Sequence, residues 1–484
     1  MRKVCTADPA ENPTLDILRA GTYHWPSPRS ETRPSPPLLT SIFLDRPMAK
    51  RRSSTSKADR QPSPPKASSA RRKAPRTGSK RPGTPSGASE PGNAVIGQSG
   101  GPTAVINQSL VGVLEAARTC GFIDKVFGAR HGVAGILADD LIRLDNQSQA
   151  VLEKVALTPA AALGSVRKKP TREECLAMFE TFRKRDIRYV FYIGGNDSAE
   201  TANILLECAR AERYSLKVFH VPKTIDNDLK ITDHCPGFGS AAKFVAQAFM
   251  GDNLDNRSLM GVKINIVMGR HAGFLTAASV LGRVHEDDGP HLVYVPEAVF
   301  NERRFVADVK RIYKQRGRCL VAVSEGIHDQ RGKTIAEKIV AQAERDAHGN
   351  VQLSGSGALG DHLAGLVRKA LPGARVRADT FGYLQRSFAG CWSDSDAKEA
   401  RMVGQAAIGF AASQQSGTVV LKRAAGKRYR CTAGLAPLKK VAKFTKVMPA
   451  NFLNKAGNGV TKAFINYAAP LAGKLHPVGR LRGI

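Results

Sequence analysis

NAVIGQSGGPTAVIN, residues 93–107, decides the fold. Residues 93–97 are a short apolar run, Gly97, Gly100 and Gly101 interrupt it, and a helical apolar periodicity then occupies 104–118. That is strand, loop, helix. The unit returns at RYVFYIG (188–194), followed by GNDS (195–198) and a helical stretch over 199–211. A further strand at 217–221 stops at the Pro222 turn. Strands are predicted again at 263–267, 291–295 and 319–323, with a helix over 305–313 among them. Strands alternating with helices predict an α/β fold with parallel, doubly wound sheets, whose ligands sit at the carboxyl ends of the strands. The Gly-rich and acidic clusters fall at those ends.

Before residue 93 the composition is different. Arg51-Arg52, Arg71-Arg72-Lys73 and the stretch from Arg76 to Arg81 are interleaved with Pro, Ser, Thr and Ala. Too little apolar surface is present to offset chain entropy, and Pro34, Pro36, Pro37, Pro64 and Pro65 oppose helix and central strand. Residues 1–92 are therefore expected to be a disordered basic tail. Its prolines spoil the amphipathic helix of a transit peptide, and Met48 is an alternative start. The tail carries much of the formal charge of +31, from 73 Lys and Arg against 42 acidic residues in 484. Such a charge suits a polyanionic partner. Charged low-complexity tails are usually just solvated, so the tail does not call for nucleic acid or a membrane. Eight scattered cysteines without a CxxC pair read as reduced thiols, and no stretch of eighteen apolar residues occurs, so the expected address is the cytoplasm.

Three clusters carry chemistry. In the first, Gly100 and Gly101 let backbone N–H groups approach an anion near a helix N-terminus, although such a pair is also an ordinary tight turn. The second, Gly194-Gly195-Asn196-Asp197-Ser198, offers oxygen ligands for a Mg²⁺ that bridges phosphates, or else simply caps a helix. The third is PKTIDNDL, residues 222–229. If extended, it turns Thr224, Asp226 and Asp228 to one face and leaves Lys223 at the edge of the site. Two close carboxylates repel by about 4 kcal/mol at an effective dielectric of about 20, a cost that a metal or a substrate proton makes useful. One can accept a hydroxyl proton while the other holds the metal. The alternative is an Asx-rich turn. Beyond these, Met268-Gly269-Arg270 presents a guanidinium fork at a strand end, Glu325 follows another strand, and RADTFGYLQR adds Arg377, Tyr383, Gln385 and Arg386.

From residue 93 to the C-terminus these motifs, in this order, resemble the phosphofructokinase family. The resemblance implies two doubly wound, Rossmann-like α/β domains with the active site between them. It divides the chain into a donor-binding domain (93–237), a sugar-phosphate domain (238–377) and a return to the first domain with a basic C-terminal extension (378–484). It makes Asp226 the base that takes the proton of the sugar 1-hydroxyl, with Lys223 and Asp197 as its catalytic companions. Pyrophosphate would lie on Gly100, Gly101 and Arg167. The sugar phosphate would be held by Thr224, Ile225, Met268, Gly269, Arg270, Glu325, Tyr383, Leu384, Gln385 and Arg386. Arg377 matches an arginine that crosses a subunit interface, implying a homodimer or homotetramer. Mg²⁺ is the implied cofactor, on Asn196, Asp197 and Asp228.

Two positions speak to the donor. ATP users in the family carry Gly where this chain has Asp197 and Lys223, whereas pyrophosphate users carry these two residues. A carboxylate where an ATP α-phosphate would lie adds repulsion of about 4 kcal/mol, and Lys223 could neutralise the transferring group instead. The reaction implied is reversible transfer from pyrophosphate to the 1-hydroxyl of fructose 6-phosphate. The rival readings are an ATP-dependent enzyme of the same fold and, from another class, a polyanion-binding protein acting through the tail. Sedoheptulose 7-phosphate is an alternative acceptor. The chain departs from the family pattern at Asn196, where many relatives have a metal-binding Asp. It also departs at Tyr383, where ATP users have His, and at Gly261, where they have a second cross-subunit Arg for which Arg257 or Lys263 could substitute. Glu297 resembles a residue near the effector site of regulated relatives.

Overall fold

Strands buried on both faces of a parallel sheet have to be apolar almost throughout, as the central strands IRYVFYIG (187–194) and CLVAVS (319–324) are. The computed structural model describes residues 90–339, 357–413, 415–426 and 428–481. The expected tail therefore lies, except for 90–92, outside the described residues. Five strands in the first half of the chain, β1 (Gly92–Gln98), β2 (Ile123–Ala129), β3 (Leu141–Arg143), β4 (Ile187–Gly194) and β5 (Lys217–Pro222), join a seven-stranded sheet. A second sheet consists of β6 (Val262–Val267), β7 (Leu292–Tyr294), β8 (Cys319–Ser324) and β9 (Val376–Thr380). The chain then returns to the first sheet through β10 (Gly417–Arg423) and β11 (Cys431–Ala436). The orders are β11-β10-β5-β4-β1-β2-β3 and β7-β8-β6-β9. The second sheet is wholly parallel, and the first has antiparallel pairs only at its two edges.

Register brings the site together. Gln98 lies opposite Ile193, and Gly194 opposite Pro222, so the loops that leave β1, β4 and β5 emerge at one level. In the other sheet Val267 pairs with Ser324 and Ile266 with Thr380, which sets the starts of the Met268, Glu325 and Phe381 loops side by side.

The helices Ile106–Thr119 and Asp394–Ala412 pack so closely that a Cβ on Gly112 would meet the Arg401 carbonyl at 2.2 Å. Arg401 clamps the contact, with Nε 2.9 Å from Glu115 Oε2 and Nη1 3.1 Å from Glu153 Oε2. The basic C-terminal stretch is ordered: Val419 and Val420 are fully buried in β10, and Phe464 in the helix Lys462–Ala472.

Two local expectations change. The helix predicted over 199–211 begins earlier, as Asn196–Ala211, with Gly195 at its N-cap and no side chain capping it. Asn196 and Asp197 therefore belong to its first turn and not to a loop, and neither caps the helix. Residues 222–229 are not an extended segment either, because Asn227 has φ +58°.

Candidate active site

At the carboxyl ends of both sheets lies a pocket of about 310 Å³, at the small end of ligand sites. Its lining includes Gly100, Gly101, Arg167, Asn196, Asp197, Lys223, Thr224, Ile225, Asp226, Asp228, Met268, Arg270, Glu325 and Arg386. Most of the residues singled out in the sequence thus meet around one cavity.

The glycine loop is shaped differently from a simple amide cradle. Gly100 has φ +75°, a conformation glycine adopts without strain. Its N–H is already donated to the Val166 carbonyl at 3.1 Å. Its role is the turn itself. A Cβ on Gly101 would approach Arg386 Nη1 to 2.9 Å, so the bare backbone there lets the guanidinium in.

Lys223 is the central cation. It is 3% exposed, and its Nζ donates to the Gly101 carbonyl at 2.5 Å. Burial, then the charge of Arg386, pull this ammonium down to about 8, with Asp226 opposing them and Arg167 adding to them. Opposite it, burial raises the Asp226 carboxyl against the pull of Lys223 and Arg270. Burial and then the charge of Asp226 push Asp228 up to about 7. Carboxyls raised by burial and a lowered ammonium therefore share one site.

Asn196 Nδ2 donates to Asp228 Oδ2 at 2.7 Å, while Asn196 Oδ1 is buried without a hydrogen-bond partner. An orphaned amide oxygen beside two carboxylates is the kind of oxygen-donor set that suits a hard divalent cation. Asp197 does not turn toward that set: its Oδ1 lies 2.9 Å from Lys169 Nζ, which also holds Glu200 at 2.8 Å. The charge expected to repel an ATP α-phosphate is thus partly neutralised in place.

Several expected contacts stand back from the pocket. Gln385 is buried behind the wall, accepting from the Met268 N–H at 3.2 Å and donating to the Gly382 carbonyl at 2.8 Å. Gly269, with φ +141°, directs its N–H to Glu325 Oε1 at 3.5 Å. Tyr383 lies outside the lining but carries Arg386, whose guanidinium sits 4.5 Å from its ring centroid. Leu384 is exposed, as is Arg377 on β9. Gly261 has φ +150°, and a Cβ there would meet the Arg375 carbonyl at 2.4 Å, so no arginine fits. Of its suggested substitutes, Lys263 pairs with Asp252 and Asp379, and Arg257 with Asp287. Glu297 accepts from the N–H groups of Gly273 and Met448, both at 2.9 Å.

Sequence reasoning missed Ser99, Lys168, His271 and Thr445, which also line the pocket. Thr445 pairs with Leu229 across an antiparallel bridge. Nothing local in the sequence signals a contact across that separation. Spacing also gave no hint that His234, Glu399 and Cys431 gather outside the pocket, with His234 Nε2 2.6 Å from Glu399 Oε2. The cysteines among the described residues are free thiols, and no described helix is long and apolar enough to cross a membrane.

The phosphofructokinase family profile matches residues 93–411. A pyrophosphate--fructose 6-phosphate 1-phosphotransferase of Rhodospirillum rubrum is 52% identical over 387 residues, 80% of this chain and 95% of that protein. The enzyme of the same name from Xanthomonas campestris pv. campestris is 39% identical over 390 residues, 78% of this chain and 91% of that one. Among solved structures, a pyrophosphate-dependent phosphofructokinase from Nitrosospira multiformis superposes with a TM-score of 0.70 at 35% identity, covering 81% of this chain and 94% of that one.

Proposed function

The chain belongs to the phosphofructokinase family of phosphotransferases, and we propose that it moves a phosphoryl group reversibly between pyrophosphate and the 1-hydroxyl of fructose 6-phosphate. The observation that carries this reading is Lys223, buried at the glycine loop with its charge facing the Asp226 carboxylate. A nucleotide-using site has no need to bury a cation there. A pyrophosphate site does, because its small donor brings no further contacts of its own.

In this reading Asp226 takes the proton from the sugar hydroxyl as its oxygen attacks phosphorus, and its raised pKa matches it to that proton. Lys223 stabilises negative charge on the transferring group and the departing phosphate. Arg167 faces the donor, while Arg270 and Arg386, with Glu325, grip the sugar phosphate. Arg386 is held in place by Tyr383. Asn196 Oδ1 and Asp228 are the groups that would hold a divalent cation, which we take to be Mg²⁺. When bound, it would neutralise phosphate oxygens and bring the Asp226–Asp228 repulsion down. Asp197 is assigned to donor selection at the mouth, tempered by Lys169.

We further assign donor binding to residues 93–237 and sugar-phosphate binding to 238–377, with 378–484 returning to the first part. The exposed position of Arg377 supports its reaching a second copy, in a homodimer or homotetramer. The free thiols support a cytoplasmic address. The deciding experiment is the rate of fructose 1,6-bisphosphate formation by the purified chain with Mg²⁺, comparing pyrophosphate with ATP at matched concentrations. Turnover with pyrophosphate is expected; turnover with ATP alone would overturn the donor assignment and leave Asp226 standing.

A further inference from the structure

Residues 222–229 owe their shape to a part of the chain that lies beyond the span matched by the family profile. Asn227, wedged between Asp226 and Asp228, is completely buried and has φ +58°. Its side chain is fully engaged: Oδ1 accepts from the Cys235 N–H at 3.0 Å, and Nδ2 donates to the Tyr467 hydroxyl at 2.8 Å. That hydroxyl donates in turn to the Asp233 carbonyl at 2.9 Å. Tyr467 sits in the helix Lys462–Ala472, its ring tilted against those of Phe274, Phe452 and Phe464. On the other side of the loop, the Lys446 N–H donates to the Asp228 carbonyl at 2.6 Å, and Lys446 Nζ donates to the Asp233 carbonyl at 2.8 Å.

A left-handed asparagine is strained unless its surroundings hold it. Asp226 and Asp228 lie on either side of that residue, so its φ sets how their carboxylates converge. We propose that Tyr467 is a positioning residue for the reaction, holding Asn227 in the conformation that aims Asp226 at the substrate and keeps Asp228 beside it. The inference rests on the role given to Asp226 above. Tyr467 touches no reacting atom, and its effect passes through Asn227.

The test is Tyr467→Phe, which keeps the ring and removes the hydroxyl. Misplacing a catalytic group by about an ångström costs up to roughly a hundredfold, so kcat is expected to fall ten- to about a hundredfold with KM for both substrates within about threefold. A hydroxyl that only supports the fold would lower the thermal midpoint and the active fraction while leaving kcat per active site in place; that result overturns the proposal. Asn227→Gly, which tolerates the positive φ, should retain more activity than Asn227→Ala, and adding Tyr467→Phe to Asn227→Gly should cost less than about threefold more. A crystal structure of Tyr467→Phe decides the matter independently of turnover. If the wild type uses neither donor, the reaction assignment falls, but an Asn227 φ that stays near +58° in Tyr467→Phe still overturns the positioning, and one that relaxes to negative φ supports it.

Discussion

Lys223 Nζ and the Gly101 carbonyl oxygen are 2.5 Å apart, joining the loop after β5 to the loop after β1 across the end of β4, which lies between them. A fully buried ammonium loses its water shell and needs compensation. Here one carbonyl and the Asp226 carboxylate supply part of it, while Arg386 and Arg167 work against it. The site therefore stores a cation that is incompletely satisfied until an anion arrives. That is the electrostatic state a pyrophosphate pocket requires.

Replacing this cation with an apolar side chain of similar length separates binding from folding. Lys223→Met should lower kcat with pyrophosphate by about a hundredfold to a thousandfold, the usual cost of losing one preorganised group at a developing charge. Its thermal midpoint should stay level or rise, because a poorly compensated buried charge has been removed. Steady-state kinetics paired with thermal denaturation check both parts.

Donor choice should respond unequally to its two determinants. Asp197 is half exposed and paired with Lys169, so its repulsion of a nucleotide α-phosphate is screened, and Asp197→Gly alone should shift the ATP to pyrophosphate ratio of kcat/KM by less than about tenfold. Asp197→Gly with Lys223→Gly also removes the buried cation and opens space at the glycine loop. The double variant should shift the ratio by more than a hundredfold, about 2.7 kcal/mol. A ratio that stays put in the double variant would mean that these two positions do not choose the donor.

The pH dependence follows from the same groups. Transfer to the sugar needs an ionised Asp226, in a pair with Asp228 raised to about 7, and a charged Lys223 at about 8. As pH falls through the raised carboxyl values the base is protonated, and as pH rises past the lowered lysine value the cation is lost. The plot of kcat/KM against pH should be a narrow bell with limbs near those two values, which belong to the free enzyme. Lys223→Met should remove the alkaline limb and move the acid limb upward, since the lysine charge that favours ionised Asp226 is gone.

The sheets were legible because buried parallel strands leave unbroken apolar runs such as RYVFYIG, and β4 and β5 end on Gly194 and Pro222 where the chain must turn. The site was legible for a related reason: in a doubly wound fold the strand ends are where ligands lie, so Gly100, Asn196, Lys223, Arg270 and Glu325 could be collected without knowing the register. What local sequence could not give was conformation within a loop. Read as extended, PKTIDNDL leaves Lys223 at the edge of the site, whereas it lies buried with Nζ on the Gly101 carbonyl, and the left-handed Asn227 breaks the segment between the two aspartates. Thr445 and Lys446 were hidden in the same way, because contacts across that distance in sequence leave no periodicity to read.

Two glycines of one helix offer a test of the packing with opposite signs. In Asp394–Ala412, a Cβ on Gly404 would meet the Ser109 carbonyl at 2.3 Å and the Val113 nitrogen at 2.9 Å, whereas one on Gly409 would meet nothing within 4 Å. Alanine in a helix interior is favoured over glycine by about 1 kcal/mol. At 409 that gain stands alone, so Gly409→Ala should stabilise the fold by about 0.5–1 kcal/mol. At 404 the backbone of Ile106–Thr119 has to be pushed away, and overpacking costs about 1–3 kcal/mol. The same movement would pull Arg401 off Glu115 and Glu153. Gly404→Ala should therefore destabilise despite its better helix propensity, with a lower midpoint in urea and little change in kcat per folded molecule. Equal shifts of one sign at both positions would mean that the helices do not touch along this face.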